Sequence, residues 1–335
     1  MTFKIINKRE HWDFYYRQLI NPGIYASYDY CKAAEILEKN GETKLAIFEK
    51  NKIICFHPFI KRSIEHIDGI YDIVSPYDFG GFWFNTKNEI KIEQTIVKFF
   101  EFFFDYCKQN MIITEFIRFH PFQRIYNNNF YSSQLVERNV IIKLSQDEKE
   151  LYKNFSSSLK RNIKKAHNNN LKLKFIGINA FIKLYYETMD YLQSKKYYYF
   201  PKQFFEKLTN ISIIGAFDKN GRLCSSQIYL FDHNIVFYFL GGSNRNELNK
   251  RPNDFLFHQA ILHYQKNFEI MHLGGGSDSL LKFKKKFSRD YVDYYIGKKI
   301  FNNKIYNELI DLQEKKIGKK IDQVNFFPKY RFSYE

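Results

Sequence analysis

The chain has 335 residues, 44% hydrophobic and 26% charged, with 36 Phe and 26 Tyr, and carries a formal charge of +16 at pH 7. Its length exceeds what one compact core ordinarily holds and suits two domains of about 150 residues each, and its aromatic content excludes a disordered chain. The charge attracts polyanions such as nucleic acid, nucleotide-linked sugars or anionic lipid surfaces, while the joint abundance of Lys, Asn, Ile, Phe and Tyr equally fits a codon bias without functional meaning.

The first ten residues lack the apolar stretch of a signal peptide. The most apolar run, Ile96 to Cys107, contains Lys98, Glu101 and Asp105 and is too short to cross a bilayer. A cytoplasmic protein without a transmembrane segment is expected. Cys31, Cys55, Cys107 and Cys224 lie far apart without the spacing of a zinc site, so they read as buried free thiols, and no metal is expected.

In chain order, Lys44–Phe48 and Lys52–Phe59 alternate in polarity around Glu49-Lys50-Asn51 and predict a β-hairpin. A strand at Ile70–Val74 follows, then the turn-rich loop Ser75-Pro76-Tyr77-Asp78-Phe79-Gly80-Gly81, a helix over Asn88–Gln109 and a strand over Ile112–Phe119. Ser145-Gln146-Asp147-Glu148 matches a capping box with Ser145 at N-cap and Glu148 at N3. Behind it Leu151, Phe155, Leu159, Ile163 and Ala166 recur at helical spacing, with Lys160, Arg161, Lys164 and Lys165 off that face. From Leu151 to Tyr186 there are eight Lys or Arg and no Asp or Glu, which is either a solvated face or a contact for a polyanion.

The first plan then recurs. Ser212–Phe217 and Leu223–Leu230 flank Asp218-Lys219-Asn220-Gly221, a strong hairpin signal. A strand over Ile235–Leu240 runs into Gly241-Gly242-Ser243, a helix covers Pro252–Asn267, and a strand over Ile270–Leu273 runs into Gly274-Gly275-Gly276. An antiparallel meander, a helix and a further strand, used twice, is the plan of a GNAT lobe, with two unrelated α/β units as the alternative. The expected fold class is therefore α/β, two tandem GNAT-like lobes, each a mixed, mostly antiparallel sheet flanked by helices. The expected boundaries are residues 1–144 for the first lobe, 145–310 for the second, and 311–335 for a C-terminal segment that packs back on the first.

Particular residues carry a closer resemblance. Leu159-Lys160-Arg161-Asn162-Ile163-Lys164-Lys165-Ala166, Leu184-Tyr185-Tyr186-Glu187-Thr188-Met189, Tyr197-Tyr198-Tyr199-Phe200, Leu240-Gly241-Gly242-Ser243, Leu273-Gly274-Gly275-Gly276 and Leu281-Lys282-Phe283-Lys284-Lys285-Lys286-Phe287 follow one another as in the second lobe of Fem-type (FemAB-like) transferases. Ser75-Pro76-Tyr77, Gly80-Gly81 and Arg118-Phe119-His120-Pro121 are similar to landmarks of that family's first lobe. The resemblance implies transfer of an aminoacyl group from aminoacyl-tRNA to an amine of a cell-envelope precursor, as in peptidoglycan synthesis, or acylation of an amino sugar in surface-polysaccharide synthesis from acyl-CoA or an acyl carrier protein. The partners it implies are that donor, a nucleotide- or lipid-linked envelope precursor, and a peripheral contact with the inner membrane face. The chain departs from the family in having no heptad run for a coiled-coil arm, and in having His120 where peptidoglycan-branching members often place an acidic residue before the proline. A reading of another class is a non-catalytic, basic nucleic-acid-binding protein, against which the repeated lobe plan and the lysine run argue.

An amine attacking an ester or thioester must lose a proton, meet a stabilised oxyanion and leave a held leaving group, and it needs no cofactor beyond the donor. The resemblance assigns Lys284 to the reacting carbonyl or the ribose of the tRNA end; a basic helix face anchored by Phe283 and Phe287 is the alternative. His120 has the pKa range of a base and is equally a structural histidine, and Asp78 and Asp278 are alternative carboxylates in Gly-rich loops. Tyr77, Gly80, Tyr199, Gly241, Gly242, Ser243, Gly275 and Phe283 complete the expected substrate contacts, with Lys160, Arg161, Lys164 and Lys165 for phosphates. The glycines serve either close ligand approach or tight turns, and Tyr197-Tyr198-Tyr199 serves either ring stacking or a β-like core segment. Ser243-Asn244-Arg245-Asn246-Glu247-Leu248 lacks the glycine loop with which CoA-using GNAT proteins wrap a pyrophosphate, which favours aminoacyl-tRNA as donor.

Overall fold

The computed structural model describes residues 1–65, 67–123, 130–144 and 147–333. It begins β1 (Thr2–Ile6), α1 (Arg9–Tyr16), α2 (Tyr28–Glu35), β2 (Gly41–Lys50), β3 (Ile53–Ile64), β4 (Ile67–Val74), β5 (Trp83–Phe84), α3 (Glu89–Gln109) and β6 (Ile112–Arg118). The middle of the chain forms β7 (Ser132–Lys143), α4 (Glu148–Asn154), α5 (Ser157–Asn168), β8 (Lys172–Phe175), α6 (Ile178–Tyr191), α7 (Lys202–Lys207), β9 (Ile211–Phe217) and β10 (Leu223–Asp232). β11 (Ile235–Ser243), α8 (Pro252–Tyr264), β12 (Ile270–Gly274), α9 (Asp278–Lys284), β13 (Asp290–Ile300) and α10 (Asn303–Ile317) complete it.

These elements form two compact units, the first made of Met1–Val136 and Tyr294–Glu335 and the second of Glu137–Asp293. The boundaries expected at 145 and 311 fall inside the second and first unit respectively. The chain changes unit partway along β7 and β13, where neither a loop nor a cap marks the change in sequence.

In the first unit the strand order is β1-β2-β3-β4-β6, with the 294–300 part of β13 beside β6 and β5 against β3. Every pairing is antiparallel except β4 with β6, which are parallel and joined through α3. The β2–β3 turn is the two-residue pair Asn51-Lys52, both at positive φ, as a type I′ hairpin requires. It lies one residue beyond the expected turn because the asparagine accepts the left-handed conformation that Glu49 and Lys50 resist. Asn88 caps α3 by accepting from the Lys91 N–H at 3.0 Å. Ile96, Phe99, Phe100, Phe103 and Cys107 then recur every three or four residues on its buried face and fill a phenylalanine-rich core. The C-terminal segment is tied to β4 through Asp72, a fully buried carboxylate that accepts from Arg62, Tyr330 and Arg331.

The second unit repeats the plan in the order β8-β9-β10-β11-β12, followed by the 137–143 part of β7. Again one pairing is parallel, β11 with β12, and α8 joins the two. The helical cap differs from the expected box. Asp147 is the N-cap of α4 and accepts from the Lys149 and Glu150 N–H groups, which places Glu148 at the first helical position, while Ser145 and Gln146 lie outside the described residues. A carboxylate that reaches two orphan amides is a sufficient cap for this helix start. The chain breaks at Phe155–Ser156, so the apolar stripe spans two short helices, yet Leu151, Phe155, Leu159, Ile163 and Ala166 all reach one core with Phe255, Leu256 and Ile261 of α8. α8 itself ends at Tyr264, three residues short of the expected Asn267. All four cysteines are buried thiols.

Candidate functional site

In the second unit β11 pairs with β10 along nearly its whole length, but with β12 only over Ile235–Phe237 against Ile270–His272. Beyond that point β12 stays with β7, Gly274 opposite Val140, and β11 stays with β10. The ladders skip Phe239 on β11 and Leu273 on β12, and such bulges bend a strand and re-aim its side chains. The two parallel strands therefore part beyond Phe237 and His272.

Lys284 lies across that parting. Its Nζ donates to the Gly275 carbonyl at 2.6 Å and sits 5.5 Å from the centroid of the Tyr238 ring, and the residue is only 4% exposed. α9 delivers it there because Phe283 and Phe287 pack against Phe257 at centroid separations of 5.7 and 5.3 Å. Phe283 is thus a core anchor of this helix. Gly274 and Gly276 have φ of +74° and +124°, a region that side chains strongly disfavour, and a Cβ on Gly274 would stand 3.4 Å from the Lys284 Nζ. Gly275 lies under the Glu137 carboxylate, which also accepts from the Gly276 N–H at 3.1 Å.

Glu137 escaped the sequence reading, as did Asn139 and His272, which are both buried and joined through Asn139 Nδ2 and His272 Nε2 at 3.1 Å. The signal in the sequence was slight: Glu137 and Asn139 precede the apolar run Val140–Ile142, and His272 interrupts the run Met271–Leu273. A buried ammonium next to glycine backbone, with carboxylate, imidazole and phenol in the same unit, is suited to stabilising negative charge on a carbonyl oxygen.

Other expected contacts have different surroundings. Gly241, Gly242 and Ser243 belong to β11 and do not follow it, pairing with Gln227, Ser226 and Ser225. A Cβ on Gly242 would come within 3.0 Å of the Leu184 and Tyr185 backbone, and Ser243 binds Thr188 and Asn253. These residues let α6 lie close on the strand. Tyr197 and Tyr198 are exposed on a turn, while Tyr199 donates to Asp190 at 2.9 Å. Arg161, Lys164 and Lys165 are exposed on α5; Lys160 is half-buried, its Nζ 5.2 Å from the Tyr152 ring centroid. Asp278 is exposed in the first turn of α9.

His120, Tyr77, Asp78 and Gly80 belong to the first unit. His120 is buried among the rings of Tyr25, Phe79 and Phe122, and its Nδ1 accepts from the Phe122 N–H at 3.3 Å. Asp78 accepts from the Tyr25 hydroxyl, and the Tyr77 carbonyl from that of Tyr30. Gly80 bridges to Phe119, donating to Arg118 O at 2.7 Å and accepting from His120 N at 2.8 Å.

Among the described residues one group, Asp218, Cys224 and Glu247, brings metal-type ligand atoms together. Its carboxylates are already engaged by Lys250 and Arg222, and burial, with Glu247 beside it, pushes the Cys224 thiol up to about 11. It is an ion-pair cluster at the β9–β10 turn.

No family model and no curated protein sequence matches the chain. Among solved structures, FemX is 10% identical at a TM-score of 0.66, covering 92% of this chain and 99% of its own. A conserved protein of unknown function from Bacteroides thetaiotaomicron VPI-5482 is 10% identical at 0.54, covering 88% and 99%, and L-PGS from Bacillus licheniformis is 9% identical at 0.54, covering 87% and 91%. At such identities the likeness establishes the fold, which is the Fem-like tandem GNAT fold. No helix among the described residues is long and apolar enough to cross a membrane.

Proposed function

We propose that this chain is an acyl-group transferase that moves an aminoacyl group from aminoacyl-tRNA to an amine of a cell-envelope precursor. The observation that carries the reading is the buried Lys284 ammonium at the parting of β11 and β12 in a Fem-like fold. The amine attacks the ester carbonyl, a C–N bond forms, and the C–O bond to the ribose breaks. Lys284 donates a hydrogen bond to the oxygen that becomes negative, a single such donor being worth roughly 3 kcal/mol. The amine's proton leaves to a carboxylate, for which the exposed Asp278 on the same helix is the candidate, and the departing ribose oxygen takes up a proton to become a hydroxyl. His120, enclosed by rings, serves better as packing than as this base.

Two features favour tRNA over acyl-CoA. The N-terminus of α8, where a pyrophosphate would rest on free amides, carries the buried Asp254 in its first turn, and a carboxylate there disfavours a second anion. The exposed Arg161, Lys164 and Lys165 offer phosphates a face elsewhere on this unit. Incubation with labelled aminoacyl-tRNA or acyl-CoA, each with a panel of amino-bearing envelope precursors, tests this. Transfer in the tRNA arm is expected; transfer from acyl-CoA alone would replace the donor, and transfer from neither would remove the enzymatic reading.

A further inference from the structure

The three consecutive glycines after β12 are glycine for two different reasons. Gly274 and Gly276 have positive φ. Gly275 does not, and its missing side chain answers to a neighbour: a Cβ there would run into both carboxylate oxygens of Glu137. The Glu137 carboxylate thus fills the space that a side chain at 275 would take. Its Oε2 is held by the Gly276 N–H at 3.1 Å, while its Oε1 has no donor and the carboxylate no cationic partner among the described residues. The next residue, Arg138, is paired with Asp293 instead. Glu137 is only partly buried, so a ligand can reach it. The same glycine offers its carbonyl to Lys284 Nζ at 2.6 Å.

A carboxylate and an ammonium are therefore both fixed to one glycine. An aminoacyl ester presents the matching pair, a carbonyl oxygen that becomes negative and, on the adjacent carbon, an α-ammonium. With the oxygen at Lys284, that ammonium lies close to a second cation, and because Lys284 is shielded from water their repulsion is little screened. A carboxylate with an open oxygen offsets it. Resting on the transferase reading above, we infer that Glu137 Oε1 receives the α-ammonium of the donor's aminoacyl group and so selects aminoacyl over simple acyl donors. The acceptor amine is a poorer occupant, since it must attack as the neutral base, whereas the donor's ammonium takes no part in the bond changes and keeps its proton near neutral pH. Asp278, exposed in the first turn of α9, is left for the acceptor's proton.

Binding of two stable mimics of a charged tRNA end to the full chain tests this: CCA trinucleotides whose terminal 3′-amino-3′-deoxyadenosine carries an alanyl or a lactyl group in amide linkage. The lactyl probe replaces the ammonium by a hydroxyl of nearly the same shape. Titration calorimetry should show the alanyl probe binding to the wild type about tenfold more tightly. Glu137→Gln should bring the two affinities to within about twofold of each other by weakening the alanyl probe alone. Gly275→Ala, whose methyl group displaces the carboxylate while Glu137 stays in the chain, should do the same, with melting temperatures as the check on folding. Equal binding of the two probes by the wild type, or an undiminished preference in Glu137→Gln, would overturn the inference. Transfer of label from alanyl-tRNA by the wild type reports the transferase reading separately. Transfer together with equal binding sinks the Glu137 assignment alone, whereas neither transfer nor binding removes the donor and the assignment with it.

Discussion

In the first unit the parallel pair β4 and β6 is continued by the loop that follows it: Ser75 N–H bonds Phe116 O, Gly80 N–H bonds Arg118 O, and His120 N–H bonds Gly80 O. In the second unit the parallel pair β11 and β12 stops at Phe237 and His272, and no loop takes up the ladder among the described residues. Both pairs arise in the same way, from a meander, a crossover helix and a parallel strand. What differs is the filling. Gly80 presses so close to Ser75 that a Cβ would meet it at 2.5 Å, and the rings of Tyr25, Phe79 and His120 pack around the closed end. Lys284 stands at the other end between Tyr238 and a glycine turn. A repeated topology thus yields two different ends of the same kind of strand pair, one closed and one parted, according to whether backbone pairing is completed.

If that contrast is correct, the largest effect of a single substitution on folding belongs to the closed unit. Asp72→Ala leaves Arg62 and Arg331 facing each other without the carboxylate and should cost about 3–5 kcal/mol in urea unfolding. Turnover of the protein that remains folded should be close to normal.

On catalysis the expectation reverses. Lys284→Met keeps the stem and removes the cation, so kcat should fall roughly a hundredfold with a small change in melting temperature. Lys285→Ala, an exposed neighbour, serves as control, and His120→Ala should lower the melting temperature while leaving kcat within about threefold. Equal kcat losses at Lys284 and His120 would end the division of labour between the units.

A pH dependence should separate the units by a smaller amount. Burial, with His167 nearby, lowers His258 on α8 to about 4, and its Nδ1 has no hydrogen-bond partner among the described residues. A histidine held neutral in the fold contributes stability that is complete above the unfolded pKa near 6.5 and is lost as pH falls toward 4. The loss should reach about 2 kcal/mol by pH 5. His258→Phe should remove this acid sensitivity, as read by melting at pH 7 and pH 5.

The smallest effect concerns the α5 face. Arg161→Glu with Lys164→Glu should raise KM for aminoacyl-tRNA and flatten its salt dependence by roughly one counterion per lost contact, with kcat unchanged. An unaltered salt slope would make the face merely solvated.

The meanders, the crossover helices and the apolar stripe from Leu151 to Ala166 were legible because each depends on residues close in sequence. Alternation sets strands, three-and-four spacing sets helix faces, and Asn51 and Gly221 accept the positive φ of their turns. The lysine run and the triple glycine are local in the same sense, and the fold brings Lys284 against the Gly275 carbonyl. Glu137 and Asn139 stayed hidden because they meet Gly276 and His272 only after β7 is laid beside β12, across 139 and 133 positions of sequence. Gly242 looked like a ligand contact until the backbone of α6 was found against it. Local periodicity and turn chemistry specified the elements and their double occurrence. Whether each parallel pair closed or parted, and therefore where the buried Lys284 ammonium came to lie, depended on bulges and long-range strand pairing, whose energies are shared between distant segments and leave no local pattern in either.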